Sequence, residues 1–245
     1  MAEVSFFGSL IASAGGRREK TLNQADPISR LSTRSGLRLG IMGGAFDPIH
    51  IAHLVTAQEA LVQFRLDEVV FMPSGHPPHK KRRLAPAEFR YDMTAVATAS
   101  NPRFSVSRLE IDRPGVGYTV DTLQCLAGVL GSDAGVFFIT GADAVLDILT
   151  WKDPPGVLEL CTLIAATRPG FDLSRLSAAL ASLGPGVVGP GPDSRVQIME
   201  VPGLDISSSM IRARLLAGLP VRYLVPDTVC QLIEKSGEYR SPNQA

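Results

Sequence analysis

Two histidines three residues apart, His50 and His53, follow a glycine pair, Gly43 and Gly44, and an aspartate, Asp47. Residues three apart on a helix share a face, so both imidazoles can reach one ligand. The glycines stand just ahead of the point where apolar spacing becomes helical, through Leu54, Ala57 and Leu61. A glycine turn feeding a helix leaves backbone N–H groups free at the helix N-terminus, where phosphate oxygens bind well. The chemistry open to this set is phosphate binding with imidazole donors alongside. Much later, Asp205-Ile206-Ser207-Ser208-Ser209-Met210-Ile211-Arg212 offers three hydroxyls at a second helix start, with Arg212 one turn along. The planar donor fork of arginine suits phosphate, which makes this a second phosphate-binding candidate. Each piece also has a plainer reading: Asp47 and Ser207 or Ser208 as helix caps, and Arg212 as a solvated charge.

These residues need a frame. The apolar run 37–42 reads as a buried strand of a parallel sheet, followed by the glycine turn and a helix from Ile49. Further strands are predicted at 67–72, 104–107, 135–140, 161–167 and 195–201. Helices are predicted at 86–100, 120–130 with Thr119 as cap, after Asp143, and at 154–160, 173–183, 207–217 and 226–235. The Gly- and Pro-rich stretch 184–192 reads as a mobile loop. Alternating strands and helices imply an α/β, Rossmann-like, doubly wound and mainly parallel sheet with helices on both faces. Ligands in such sheets sit at the carboxyl ends of the strands. The expected organisation is one domain over 37–238, preceded by a poorly ordered extension, 1–36, and followed by a tail, 239–245.

Composition narrows the function. Lys+Arg and Asp+Glu both number 24 in 245 residues, so the net charge is zero. A general nucleic-acid or membrane-surface binder is usually basic, so neither partner is expected. Cys125, Cys161 and Cys230 are widely spaced and odd in number, matching no zinc or disulfide pattern; reduced thiols in the cytoplasm are expected. The apolar run 4–14 lacks the leading positive charge of a signal peptide and is too short to span a membrane.

Gly43-Gly44-Ala45-Phe46-Asp47-Pro48-Ile49-His50-Ile51-Ala52-His53 closely resembles the nucleotidyltransferase superfamily signature G-G-x-F-D-P-x-H-x-G-H. Ala52 stands where that signature has glycine. Alanine favours helix, so the histidine spacing is expected to survive. The late stretch resembles the second superfamily motif, I-S-S-T-x-I-R, with Ser209 in the threonine position. Pro77-Pro-His-Lys80, Gly117-Tyr-Thr-Val-Asp-Thr-Leu123, and Gly141-Ala-Asp143 with Trp151 eight residues on resemble the nicotinate mononucleotide adenylyltransferase family of NAD biosynthesis.

The resemblance spans 37 to about 236 and implies adenylyl transfer from ATP to nicotinate mononucleotide, giving deamido-NAD and pyrophosphate. It implies catalytic roles for His50, His53, Lys80 and Arg212. It implies phosphate contacts from Gly43, Gly44, Phe46, Asp47, Ser207, Ser208 and Ser209, and acceptor contacts from Thr119, Trp151, Lys152 and Asp143. Mg²⁺ is expected on the ATP phosphates rather than on protein ligands. Two alternatives stay open. One is transfer to another phosphorylated acceptor, nicotinamide mononucleotide or pantetheine phosphate; the other is a non-catalytic nucleotide-binding regulator. Homo-oligomerisation is also left open.

Overall fold

The structure, a computed structural model, describes residues 25–77, 82–184, 186–189 and 194–240. Six strands form one parallel sheet: β1 Arg38–Gly44, β2 Glu68–Pro73, β3 Phe104–Val106, β4 Gly135–Gly141, β5 Thr162–Thr167 and β6 Val196–Glu200. Their order is β3-β2-β1-β4-β5-β6. The chain builds outward from β1 to β3 and then returns to the other side of β1 at β4. That reversal puts a crevice beyond the end of β1, where doubly wound sheets bind ligands.

Alternation along the strands builds a core on each face. Leu39, Ile41, Val70, Met72, Leu163 and Ala165 point into one apolar cluster. Met42, Val69, Phe71, Ile139, Ile164 and Met199 point into the other. The first is covered by α1 Pro27–Leu31, α5 Thr119–Leu130, α6 Ala142–Leu146, α7 Pro154–Leu160 and α8 Leu173–Leu180. The second is covered by α2 Ile51–Gln63, α3 Ala87–Thr98, α9 Ser208–Leu216 and α10 Asp227–Ser236. The short α4 Leu109–Asp112 was not anticipated. Gly40 lets the loop between α2 and β2 pack close on the sheet: a Cβ there would lie 2.8 Å from Leu66 Cδ1. Among the described residues no helix is long and apolar enough to cross a membrane.

Both expected domain boundaries move. Residues 25–36 belong to the folded domain rather than to a poorly ordered extension. Asp26 caps α1 by accepting from Ile28 N at 3.0 Å, and its other oxygen accepts from Ser107 Oγ at 2.8 Å. Ile28 and Leu31 are fully buried in the first cluster. A five-residue helix shows no readable periodicity; burial against the sheet makes it, not propensity. Residues 1–24 lie outside the described residues. At the other end Tyr239, expected in the tail, is buried and packs into the second cluster, while 241–245 lie outside the described residues. Thr119 is the first residue of α5 rather than its cap; Tyr118 takes the cap position without a side-chain bond. Of the expected mobile loop, 185 and 190–192 are outside the described residues, and Val188 bridges to Val196.

Candidate active site

The turn after β1 is held from several sides. A Cβ on Gly43 would sit 3.0 Å from Phe138 Cζ, a tighter approach than side chains normally make, so glycine lets the strand end pass close to β4. Phe46 has a positive φ of 46° and packs edge-on against His53 with ring centroids 5.2 Å apart. Arg90 is 1% exposed and has its charge buried among carbonyls. Its guanidinium donates to Ala45 O at 2.7 Å, Ala85 O at 2.9 Å and Gly75 O at 3.3 Å. From the far end of the chain, Arg212 Nη1 donates to Asp47 O at 2.6 Å and Ser208 Oγ donates to Pro48 O at 2.8 Å. The second phosphate-binding candidate thus closes directly onto the first. Ser209 Oγ accepts from Arg212 Nη2 at 3.1 Å, and Ser207 caps α9 by accepting from Met210 N at 3.2 Å.

Asp47 does not cap α2, contrary to its plainer reading; His50 takes the cap position. The Asp47 carboxylate is 1% exposed. Its Oδ1 accepts from Tyr239 OH at 2.7 Å and from Ala85 N at 3.3 Å. Its Oδ2 lies 2.6 Å from Arg82 Nη2, an ionic contact outside hydrogen-bonding geometry, and 3.9 Å from Arg212 Nη1.

The two imidazoles stack with centroids 3.7 Å apart and planes 23° from parallel. His53 Nδ1 accepts from the His50 N–H at 3.2 Å, which leaves the His53 proton on Nε2. Burial lowers the His50 pKa to about 4, with the Arg168 charge adding to the effect. Burial also holds His53 well below the ordinary histidine value, and His50 adds to it. Both rings are therefore neutral near pH 7, each with one N–H to donate. Among the described residues His50 Nδ1 is buried with no hydrogen-bond partner, and a ligand group could complete its bonding.

Both rings line a cleft of about 490 Å³ at the carboxyl ends of the strands, together with Ala52, Gly141, Asp143 and residues 167–171. The volume is within the range of small-molecule sites. Arg168 pairs with the exposed Asp205 at 2.8 Å beside this cleft. Sequence reasoning treated Arg168 only as a strand terminator; its position at the carboxyl end of a parallel strand was the available signal. Arg90 carried no sequence signal at all.

The expected acceptor residues divide. Asp143 shares the cleft with the histidines, whereas Thr119, Trp151 and Lys152 do not line it. Lys152 Nζ bonds Asp121 at 2.7 Å and sits 5.0 Å from the centre of the Tyr118 ring, so Lys152 joins Thr119 at the start of α5. Trp151 packs edge-on against Phe138, centroids 6.2 Å apart, at the border of the first core cluster. Lys80 lies outside the described residues.

The Cytidylyltransferase-like family model matches residues 41–214, a span that takes in both motifs. The chain belongs to this family of nucleotidyltransferases. It is 52% identical over 211 residues to a Moorella thermoacetica protein named "Probable nicotinate-nucleotide adenylyltransferase", covering 86% of this chain and 94% of the relative. A Mycolicibacterium vanbaalenii protein of the same name is 45% identical over 234 residues, covering 94% and 97%. Within the wider family, the chain is a member of the nicotinate-nucleotide adenylyltransferases. The fold is shared with a solved structure described as Plasmodium falciparum nicotinic acid mononucleotide adenylyltransferase complexed with APC. That likeness has a TM-score of 0.65 at 19% identity and covers 83% of this chain and 97% of the other. A second structure of the Plasmodium enzyme, complexed with NaAD, gives a TM-score of 0.64 at 19% identity and the same coverage.

Proposed function

We propose that the protein transfers the adenylyl group of ATP to nicotinate mononucleotide, releasing pyrophosphate and forming deamido-NAD in NAD biosynthesis. The observation that carries the reading is the joining of the two motifs: Arg212 and Ser208 bond the backbone of the turn that leads into His50 and His53. This concentrates phosphate-binding groups at one strand end. The named relatives and the two Plasmodium complexes support the same choice of substrates.

The acceptor phosphate is already anionic and needs no strong base. An oxygen of that phosphate attacks the α-phosphorus of ATP, a new P–O bond forms, and the bond to the bridging oxygen breaks. The electron pair leaves with pyrophosphate. Catalysis then consists of in-line positioning and charge stabilisation. Neutral His50 and His53 donate N–H groups to the α-phosphate oxygens. Backbone N–H groups of the turn and Arg212 hold the leaving phosphates, with Ser208 and Ser209 beside them, and Lys80 supports the reacting phosphates. Asp143 takes a ribose hydroxyl. Thr119, Trp151 and Lys152 serve the acceptor's pyridine end, which requires that end to reach past the cleft toward the start of α5. Magnesium enters as part of the ATP substrate, since it keeps most of its waters and takes few protein ligands. Among the described residues no group of three His, Cys, Asp or Glu side chains could hold a metal. The reading carries a cytoplasmic setting with it.

The test is pyrophosphate release from ATP and Mg²⁺ with nicotinate mononucleotide, nicotinamide mononucleotide and pantetheine phosphate in parallel. Fastest release with the nicotinate form is expected. Preference for another acceptor overturns the substrate assignment, and ATP binding without turnover on any of them leaves a nucleotide-binding regulator.

A further inference from the structure

Tyr239 stands 192 positions beyond Asp47 in the chain, yet its hydroxyl donates to Asp47 Oδ1 at 2.7 Å. From this contact we infer that Tyr239 is a positioning residue for the phosphate-binding arginine, Arg212, acting through Asp47. The inference deepens the adenylyl-transfer reading and rests on it for the role of Arg212.

Asp47 presents two groups to two partners. Its carboxylate is fixed by Tyr239 and Ala85 N, and its backbone carbonyl accepts from Arg212 Nη1 at 2.6 Å. The angle of that carbonyl is set by the orientation of the residue, and the orientation is set by where the carboxylate is tied. Tyr239 makes the shorter of the two hydrogen bonds on Oδ1. The carboxylate also lies near both Arg82 and Arg212, so its position divides its field between them. Burial and the carboxylate raise the Tyr239 pKa, so the hydroxyl keeps its proton and remains a donor. The tyrosine lies just beyond α10, which ends at Ser236, and packs in the second core cluster with the ring of Phe89 of α3 6.3 Å away. A side chain held this firmly, with its one polar atom on a catalytic-turn aspartate, does more than fill space.

Tyr239→Phe keeps the ring packing and removes only the hydroxyl. About a tenfold fall in kcat/KM for ATP is expected, the size of one hydrogen bond to a charged group only partly transmitted. KM for nicotinate mononucleotide should stay within about twofold, because the acceptor residues lie elsewhere. In an Arg212→Lys background the same change should add little, since both act at one point. Ile233→Val on α10 is the control for general loosening. Ile233 is buried in the same cluster without a bond to Asp47, and the change removes one methylene of packing there. Wild-type kinetics in Tyr239→Phe, full additivity with Arg212→Lys, or an equal kinetic loss in Ile233→Val would each overturn the inference. ATP affinity of wild type and Tyr239→Phe, read by calorimetry, decides the matter even if no acceptor turns over. Unchanged affinity then removes the positioning role, and failure of turnover in wild type alone removes only the substrate reading.

Discussion

His50 should make the folded protein measurably acid-sensitive. Its ring is 6% exposed, and its pKa falls from 6.5 to about 4 on folding, chiefly through loss of water and secondarily through Arg168. As pH drops through 6.5 the unfolded chain takes up a proton that the folded one refuses until about 4. The stabilisation from a neutral His50 is thus fully present above the unfolded pKa and lost in that window, with no further loss below it. The whole gap corresponds to roughly 3 kcal/mol. Between about pH 7.5 and about pH 5 the His50 share is roughly 2 kcal/mol. Urea unfolding of wild type and His50→Gln at those two pH values isolates it, because the other groups titrate in both proteins. Wild type should lose roughly 2 kcal/mol more than the variant on acidification. Arg168→Ala should lose less than wild type, but still more than His50→Gln, since burial is the larger cause. Parallel stability curves for wild type and His50→Gln would refute the claim that this ring is buried and neutral.

Four further outcomes are expected. His50→Ala and His53→Ala should each lower turnover by about 10²–10³-fold, the usual loss for one transition-state donor, and near-normal kcat in both would remove their catalytic roles. Arg212→Lys keeps the charge but loses the fork that reaches both Asp47 O and Ser209 Oγ, so ATP affinity and turnover should drop, and further in Arg212→Ala; isothermal titration and steady-state kinetics check this. Leu31→Ala should cost about 3 kcal/mol and lower the melting temperature by several degrees, about 2–4 °C per kcal/mol at this size, and an unchanged melting curve would deny α1 its place in the core. The nicotinate acceptor should be used at least about tenfold better than nicotinamide mononucleotide, because N–H donors at the acceptor's pyridine end would pair fully with a carboxylate and leave an amide's own donors unmet; equal specificity constants would refute it.

The sequence by itself determined the features that local pattern encodes. The run into Gly43 and Gly44 and the helical spacing after Ile49 gave strand, turn and helix in one reading. The regular alternation of strands and helices required a parallel sheet, and the two motifs marked both sides of the site. Asp26, Arg90 and Tyr239 were invisible because each acts on a residue far away in sequence, and such contacts leave no periodicity. Helix α1 was missed for a related reason: five residues do not fold on propensity, and only the sheet face makes burying Ile28 and Leu31 favourable. Asp47 before a helix reads as a cap, and only the arrival of Arg82, Arg212 and Tyr239 around one carboxylate gives it a different task. The histidine spacing placed both rings on one face. Their shared hydrogen bond is a local contact of the helix start, but the loss of water that keeps them uncharged is set by what packs over that face, which tertiary structure alone decides.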